Sequence, residues 1–169
     1  PYRSPLKAPG RWGGVKSLFH REYKDTRAVD GVSFRIDEGE LVGFLGPNGA
    51  GKTTTLKMLS GLLTPTSGRA TALGFTPWNR EPSFQRSISL VMGLRSQLWW
   101  EIPAYETLRL NQAIYGLSEA EFRSHLDELV DLLELREHLF VPVKKLSLGQ
   151  RMRAELAAAL LHRPRLLLL

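Results

Sequence analysis

The sequence predicts an α/β fold, and three observations carry the prediction. Apolar runs of strand length alternate with a leucine-spaced helical segment in the order strand, loop, helix, strand. A glycine-rich loop sits between a short apolar run and the helix that follows it, where α/β units place their tight turn. With 169 residues, 43% of them hydrophobic, the chain can fill the core such a fold needs. That composition excludes disordered and fibrous classes. The absence of cysteine excludes a disulfide framework, a Cys-based zinc site and a thiol nucleophile. The longest apolar run, Leu156 to Leu161, is far short of a membrane span.

The elements follow in order. Residues 1–27 carry seven Lys/Arg against Glu22 and Asp25, so the net charge of +6 comes chiefly from a basic N-terminal arm, residues 1–22. The basic residues are spaced and not clustered, which favours a solvated tail over a binder of nucleic acid or anionic lipid. Val32, Phe34 and Ile36 alternate with Ser33 and Arg35, the pattern of a half-buried strand. Asp37-Glu38-Gly39 is a turn, and Leu41 to Leu45 reads as a strand buried on both faces. Leu56, Leu59 and Leu63 then predict a helix from Thr53 until Thr64-Pro65-Thr66-Ser67-Gly68 stops it. Ser87 to Met92 is a further strand. The middle changes character, with a helix over Ala104–Tyr115 and a second opened by the capping box Ser118-Glu119-Ala120-Glu121. Behind that box Phe122, Leu126, Leu129, Val130 and Leu133 form one apolar stripe, so a helical insert of roughly fifty residues interrupts the α/β fold. Leu166 to Leu169 reads as a buried strand.

Gly46-Pro47-Asn48-Gly49-Ala50-Gly51-Lys52-Thr53 matches G-x-x-x-x-G-K-[ST] in full. Glycines let backbone N–H groups turn inward around phosphate oxygens where a Cβ would collide, and the helix that follows presents its positive end to the same anion. Lys52 supplies a charge to the terminal phosphates, and Thr53 places a hydroxyl on Mg²⁺. The binding set expected here is Gly46, Pro47, Asn48, Gly49, Ala50, Gly51, Lys52, Thr53 and Thr54.

A second motif narrows the class. Leu146-Ser147-Leu148-Gly149-Gln150 opens an Ala/Leu-rich helical run ending at Pro164, with Ser147 lying 95 residues after Lys52. The pair of motifs resembles the ATPase subunits of ATP-binding cassette transporters, whose signature reads L-S-G-G-Q. The resemblance covers about residues 20–169. It implies a P-loop NTPase (RecA-like) core made of residues 23–92 and 146–169, and a helical signature subdomain over about 93–145. The run Leu94 to Pro103, with Trp99-Trp100, resembles a bacterial export-type subgroup related to drug efflux.

The resemblance implies that ATP, with Mg²⁺, is sandwiched between the P-loop of one copy and the signature of a second in a head-to-tail dimer. Ser147, Gly149 and Gln150 would then face the partner's nucleotide. Leu148 departs from the family's Gly-Gly, which leaves the close approach to Gly149. Tyr23 stands where the family stacks an aromatic ring on adenine; an ordinary surface or core tyrosine is the other reading. The family's loop glutamine, a ligand of Mg²⁺ and the attacking water, matches either Leu94 or Gln97, and Gln97 is the nearest amide. Trp99 and Trp100 suit either an anchor for the membrane subunit's cytoplasmic helices or burial in the helical subdomain's own core. His20, His125, His138 and His162 show no ligand spacing and read as structural.

The chain starts at Pro1 and stops within a leucine run, so the expectation is a fragment ending just before the carboxylates that hold Mg²⁺ and activate water, with the C-terminal part of the core missing. The expected whole is a transport-coupled ATPase at the cytoplasmic face of a bacterial plasma membrane. Its partners are a polytopic permease and a second cassette, with no nucleic acid. Two other readings stand beside it: a soluble cassette ATPase acting on ribosomes or nucleic acid, and a nucleotide-binding module without turnover.

Overall fold

The structure, a computed structural model, describes residues 2–5, 23–92 and 96–169. Most of the basic arm and Leu94 therefore lie outside the described residues. The chain divides into two compact units, Pro1–Arg69 and Ala70–Leu169.

In the first unit β1 (Tyr2–Pro5) and β2 (Tyr23–Thr26) pair antiparallel, with Tyr2 opposite Thr26 and Pro5 opposite Tyr23. The two strands expected at 32–36 and 41–45 are not formed as ladders. A strand exists only through a neighbour, and neither segment finds a backbone partner among the described residues. Leu41 and Leu45 are consequently exposed, against the expectation of a strand buried on both faces. What joins the two segments is the turn between them. Glu40 N–H donates to the Asp37 carbonyl at 3.3 Å, the Glu40 carboxylate accepts from Asp37 N–H at 2.8 Å, and Phe34 and Phe44 meet edge to face with ring centres 5.2 Å apart.

Helix α1 (Lys52–Leu59) begins where the sequence puts it but ends earlier. Gly61, at φ +75°, closes a Schellman motif: Leu62 N–H reaches the Lys57 carbonyl at 2.9 Å and Gly61 N–H the Met58 carbonyl at 3.1 Å. The left-handed residue, and not the later Thr64-Pro65, turns the chain out, so Leu63 falls beyond the helix.

The second unit carries the larger core. A short helix, α2 (Pro82–Ser87), with Pro82 at its first position, leads directly into β3 (Ile88–Leu90). β3 runs parallel to β4 (Leu166–Leu168), Ile88 opposite Leu166 and Leu90 opposite Leu168. Ala72, Phe84 and Ile88 bury one small cluster beside this pair. Between the strands lie α3 (Ala104–Tyr115), α4 (Glu119–Leu132) and α5 (Leu148–Leu160). α3 buries Ala104, Thr107 and Leu108, spaced i, i+3, i+4 as one helical face requires. α4 starts at the predicted capping box, Glu121 N–H donating to Ser118 Oγ at 3.2 Å and Ser118 N–H to the Glu121 carboxylate at 2.8 Å. Its stripe buries Phe122, Leu126, Leu129 and Val130, while Leu133 at the C-cap is half-buried. α5 turns Ala154, Ala157 and Ala158 toward the same core, and such small side chains allow neighbouring backbone to approach. Asn111 of α3 uses that approach to donate to the Ala158 carbonyl at 3.2 Å.

On the surface Glu119 accepts from Arg109, Gln112 and Arg123, which together hold its carboxyl down at about 2. Two histidines hydrogen-bond backbone carbonyls of the second unit. His125 Nδ1 meets the Leu161 carbonyl at 2.9 Å. His162 stacks on Tyr115 with ring centres 3.7 Å apart and donates from Nε2 to the Ile88 carbonyl, leaving Nδ1 buried without a partner. Burial pushes the His162 pKa down, partly opposed by that carbonyl, and burial pushes the Tyr115 hydroxyl up.

Candidate functional site

The glycine-rich loop is built in the first unit. Ala50 N–H donates to the Pro47 carbonyl at 3.2 Å, which closes the loop's own turn. Gly51 then takes φ +86° as the N-cap of α1, and a Cβ there would stand 2.3 Å from the Ala28 carbonyl oxygen, so only glycine fits. No side chain caps α1. Helix geometry therefore leaves the N–H groups of Lys52, Thr53 and Thr54 without intrahelical acceptors, beside an open hollow lined by Ala28, Asn48 and residues 49–54. The Lys52 ammonium folds back over the loop and donates to the carbonyls of Gly46 at 2.6 Å and Pro47 at 2.8 Å. A fixed ammonium, three amide donors and a concave backbone are the groups from which an anion site can be built. Ala28 is the lining residue that the motif did not reveal. Tyr23 opens β2, where its backbone lies opposite Pro5.

The second motif lies in the second unit, at the start of α5. Ser147 is the N-cap: its Oγ accepts from Gln150 N–H at 3.3 Å, and its own N–H donates to Gln150 Oε1 at 2.8 Å. This is a second capping box, legible as S-x-x-Q yet overlooked beside the motif's family meaning. Because Oε1 is taken by Ser147, the Gln150 amide nitrogen faces His138 Nε2 at 3.0 Å and must be the donor. The cap uses one acceptor lone pair of Ser147 and leaves its O–H to donate elsewhere. Leu148 opens α5 in ordinary helical conformation and is 64% exposed, so the departure from Gly-Gly meets no backbone strain. Gly149 is exposed, and a Cβ there would meet nothing within 4 Å.

Gln97 follows β3. Its Nε2 donates to the Leu90 carbonyl at 3.3 Å, and its Oε1 has no partner among the described residues. Leu94, the other candidate for this role, lies outside the described residues. Trp99 and Trp100 are both exposed, so neither is buried in the helical core; the Arg151 guanidinium lies over the Trp100 ring at 5.5 Å. The structure thus groups the loop residues 46–54 in one unit, and Gln97, Ser147, Gly149 and Gln150 in the other. Among the described residues no helix is long and apolar enough to cross a membrane.

Known proteins match this arrangement. The family model described as ABC transporter matches residues 29–169. The ABC transporter ATP-binding protein NatA of Bacillus subtilis (strain 168) is 34% identical over 89% of the chain, and the bacitracin transport ATP-binding protein BcrA of Bacillus licheniformis 35% over 87%. The probable multidrug ABC transporter ATP-binding protein YbhF of Escherichia coli (strain K12) is 35% identical over 88%. The chain spans 61%, 47% and 26% of these three relatives respectively. Among solved structures, an ATP-binding subunit of an ABC transporter superposes with TM-score 0.74 at 31% identity, covering 83% of this chain and 58% of that one. CbiO1 of Clostridium perfringens, part of the transporter complex cbiONQ, gives 0.71 at 26%, covering 83% and 57%. These likenesses bear out the α/β nucleotide-triphosphatase fold.

Proposed function

The chain belongs to the ABC transporter family, and from that premise we propose that it is the nucleotide-binding part of an export-type transporter, binding and hydrolysing ATP to drive a separate membrane subunit. The observation that carries the proposal is the Gly46–Thr53 loop, preset with its lysine held over it by the Gly46 and Pro47 carbonyls. The relatives' descriptions as ATP-binding proteins of transport systems support it.

Lys52 leaves its two carbonyls for the β- and γ-phosphate oxygens, while the amides of the first turn of α1 take the remaining oxygens. Tyr23 stacks on the adenine. The Thr53 hydroxyl is a hard oxygen ligand of the kind Mg²⁺ requires, and so, in its own unit, is the Gln97 Oε1. When bound, Mg²⁺ neutralises charge on the β- and γ-phosphates. Gln97 orients the attacking water, and Lys52 stabilises the charge that develops on the transferred group. The Ser147 O–H, the Gly149 N–H and the α5 dipole, with Gln150 holding the cap, meet the γ-phosphate of a second copy's ATP in a head-to-tail dimer. Residues 23–92 and 146–169 form the catalytic core and about 93–145 the helical subdomain. The assembly sits at the cytoplasmic face of a bacterial plasma membrane, with no nucleic acid involved.

Isothermal calorimetry with MgATP on the full-length protein and its Lys52→Ala variant tests the reading. Charge-assisted bonds worth about 1.5–3 kcal/mol disappear with the ammonium, so affinity should fall about 10- to 150-fold. Equal affinity in the two proteins refutes the assignment of the loop.

A further inference from the structure

Glu155 stands two helical turns after Ser147 on α5 and is half-buried. Among the described residues no lysine or arginine pairs with it; Arg153 pairs with Glu134 and Arg151 lies over Trp100. Its partners belong instead to the segment after β3. One carboxylate oxygen accepts the Ser96 hydroxyl, and the other accepts the Gln97 N–H at 3.0 Å. Ser96 Oγ in turn accepts Leu98 N–H at 3.1 Å, and the Leu98 side chain is 5% exposed in the helical core. Two donors converging on one ionised carboxylate form the stronger kind of hydrogen bond. Such a carboxylate spends its charge on the path of a loop and not on a surface ion pair of small value.

This placement fixes Gln97. Its main-chain N–H is held by Glu155, its side-chain nitrogen by the Leu90 carbonyl, and the next residue by burial. With one amide N–H committed to the Leu90 carbonyl, the amide oxygen is left without a partner among the described residues. We infer that Glu155 is a positioning residue for Gln97: from the helix that carries Ser147 and Gln150, it holds the Ser96–Leu98 segment so that the Gln97 side-chain amide keeps one orientation, with Oε1 free for the role proposed above. The inference rests on the function proposed above and adds to it a residue outside both motifs.

The test uses the full-length protein with Glu155→Ala, Glu155→Gln, Gln97→Ala and the Glu155→Ala/Gln97→Ala double variant. Amide hydrogen exchange at Gln97 and Leu98, measured without nucleotide, should speed up roughly tenfold or more in Glu155→Ala, since a hydrogen bond to a charged group is lost. MgATP turnover should fall about 10- to 100-fold, the cost of a misplaced catalytic group, with KM unchanged. Glu155→Gln keeps an acceptor for the Gln97 N–H and should recover most of both effects. The double variant should be no slower than Gln97→Ala alone, because the two act through one group. Wild-type exchange and turnover in Glu155→Ala overturn the inference, as do additive losses in the double variant or a Glu155→Gln variant as impaired as Glu155→Ala. Wild-type protein that neither binds nor hydrolyses MgATP overturns the proposed function, and this inference with it; normal wild-type turnover with an insensitive Glu155 overturns this inference alone.

Discussion

Gly51→Ala and Gly49→Ala are a matched pair that separates two costs in one loop. Both glycines sit at φ +86°, a conformation that costs an L-residue about 1–2 kcal/mol. They differ in what a methyl group meets. At Gly49 there is nothing within 4 Å, whereas at Gly51 the new Cβ would stand 2.3 Å from the Ala28 carbonyl oxygen and 2.8 Å from Val29 Cγ2. Ordinary contact begins near 3.4 Å, so the Ala28 backbone or the loop must move by about an ångström. Forced repacking of this kind adds about 1–3 kcal/mol. Gly49→Ala should therefore cost about 1–2 kcal/mol and Gly51→Ala about 2–5 kcal/mol. Urea unfolding of the two variants reads this as a difference in midpoint at unchanged slope. MgATP calorimetry should rank them in the same order, since the displaced segment carries the Gly51 N-cap of α1. Equal midpoints for the two variants would refute the packing of Gly51 against Ala28 and Val29.

Two further outcomes follow from the second unit. Ser118 and Ser147 are structural twins, each an N-cap in a complete capping box, so alanine at either should cost about 1 kcal/mol in urea unfolding; only Ser147→Ala should also slow MgATP turnover, and equal turnover in the two variants contradicts the role given to Ser147. The depressed pKa of His162 means that the folded state resists a proton the unfolded chain accepts. Its contribution to stability is then full above the unfolded value near 6.5 and is lost as pH falls from there through the folded pKa. Melting temperature recorded from pH 8 to pH 5 should decline at the acid end, and His162→Gln should flatten that decline; a parallel decline in both proteins refutes it.

What the sequence disclosed was whatever depends on local spacing. The turn of the glycine-rich loop, the start of α1, the Ser118 box and the α4 stripe are short-range patterns, and each stands where its residues put it. The segments 32–36 and 41–45 have strand periodicity, but periodicity specifies a face and cannot supply the neighbour a ladder needs. The end of α1 was misjudged because Pro65 is the louder signal, while Gly61 acts four residues sooner through a left-handed turn. Glu155 was illegible for a different reason. In the run Arg151 to Glu155 it reads as one charge on a solvated face, and its partners, Ser96 and Gln97, are remote in sequence. The pairing of Gln150 with His138 was hidden in the same way, although the Ser147–Gln150 spacing was open to view.

The parallel pairing of Ile88–Leu90 with Leu166–Leu168 also sets an order of assembly. The whole of α3, α4 and α5 lies between these two strands, so as a coil it would form one long loop to be closed before a single ladder bond could form. The helices carry their own start signals at Ser118 and Ser147 and draw on contacts closer in sequence, which is the fast class of folding event. Once condensed, they shorten the effective loop and bring Leu166 back beside Ile88. Folding rate should therefore respond to substitutions in the Phe122–Leu126–Val130 stripe, whereas changes at Leu166 or Leu168 should act mainly on unfolding, because the strand pair is made last.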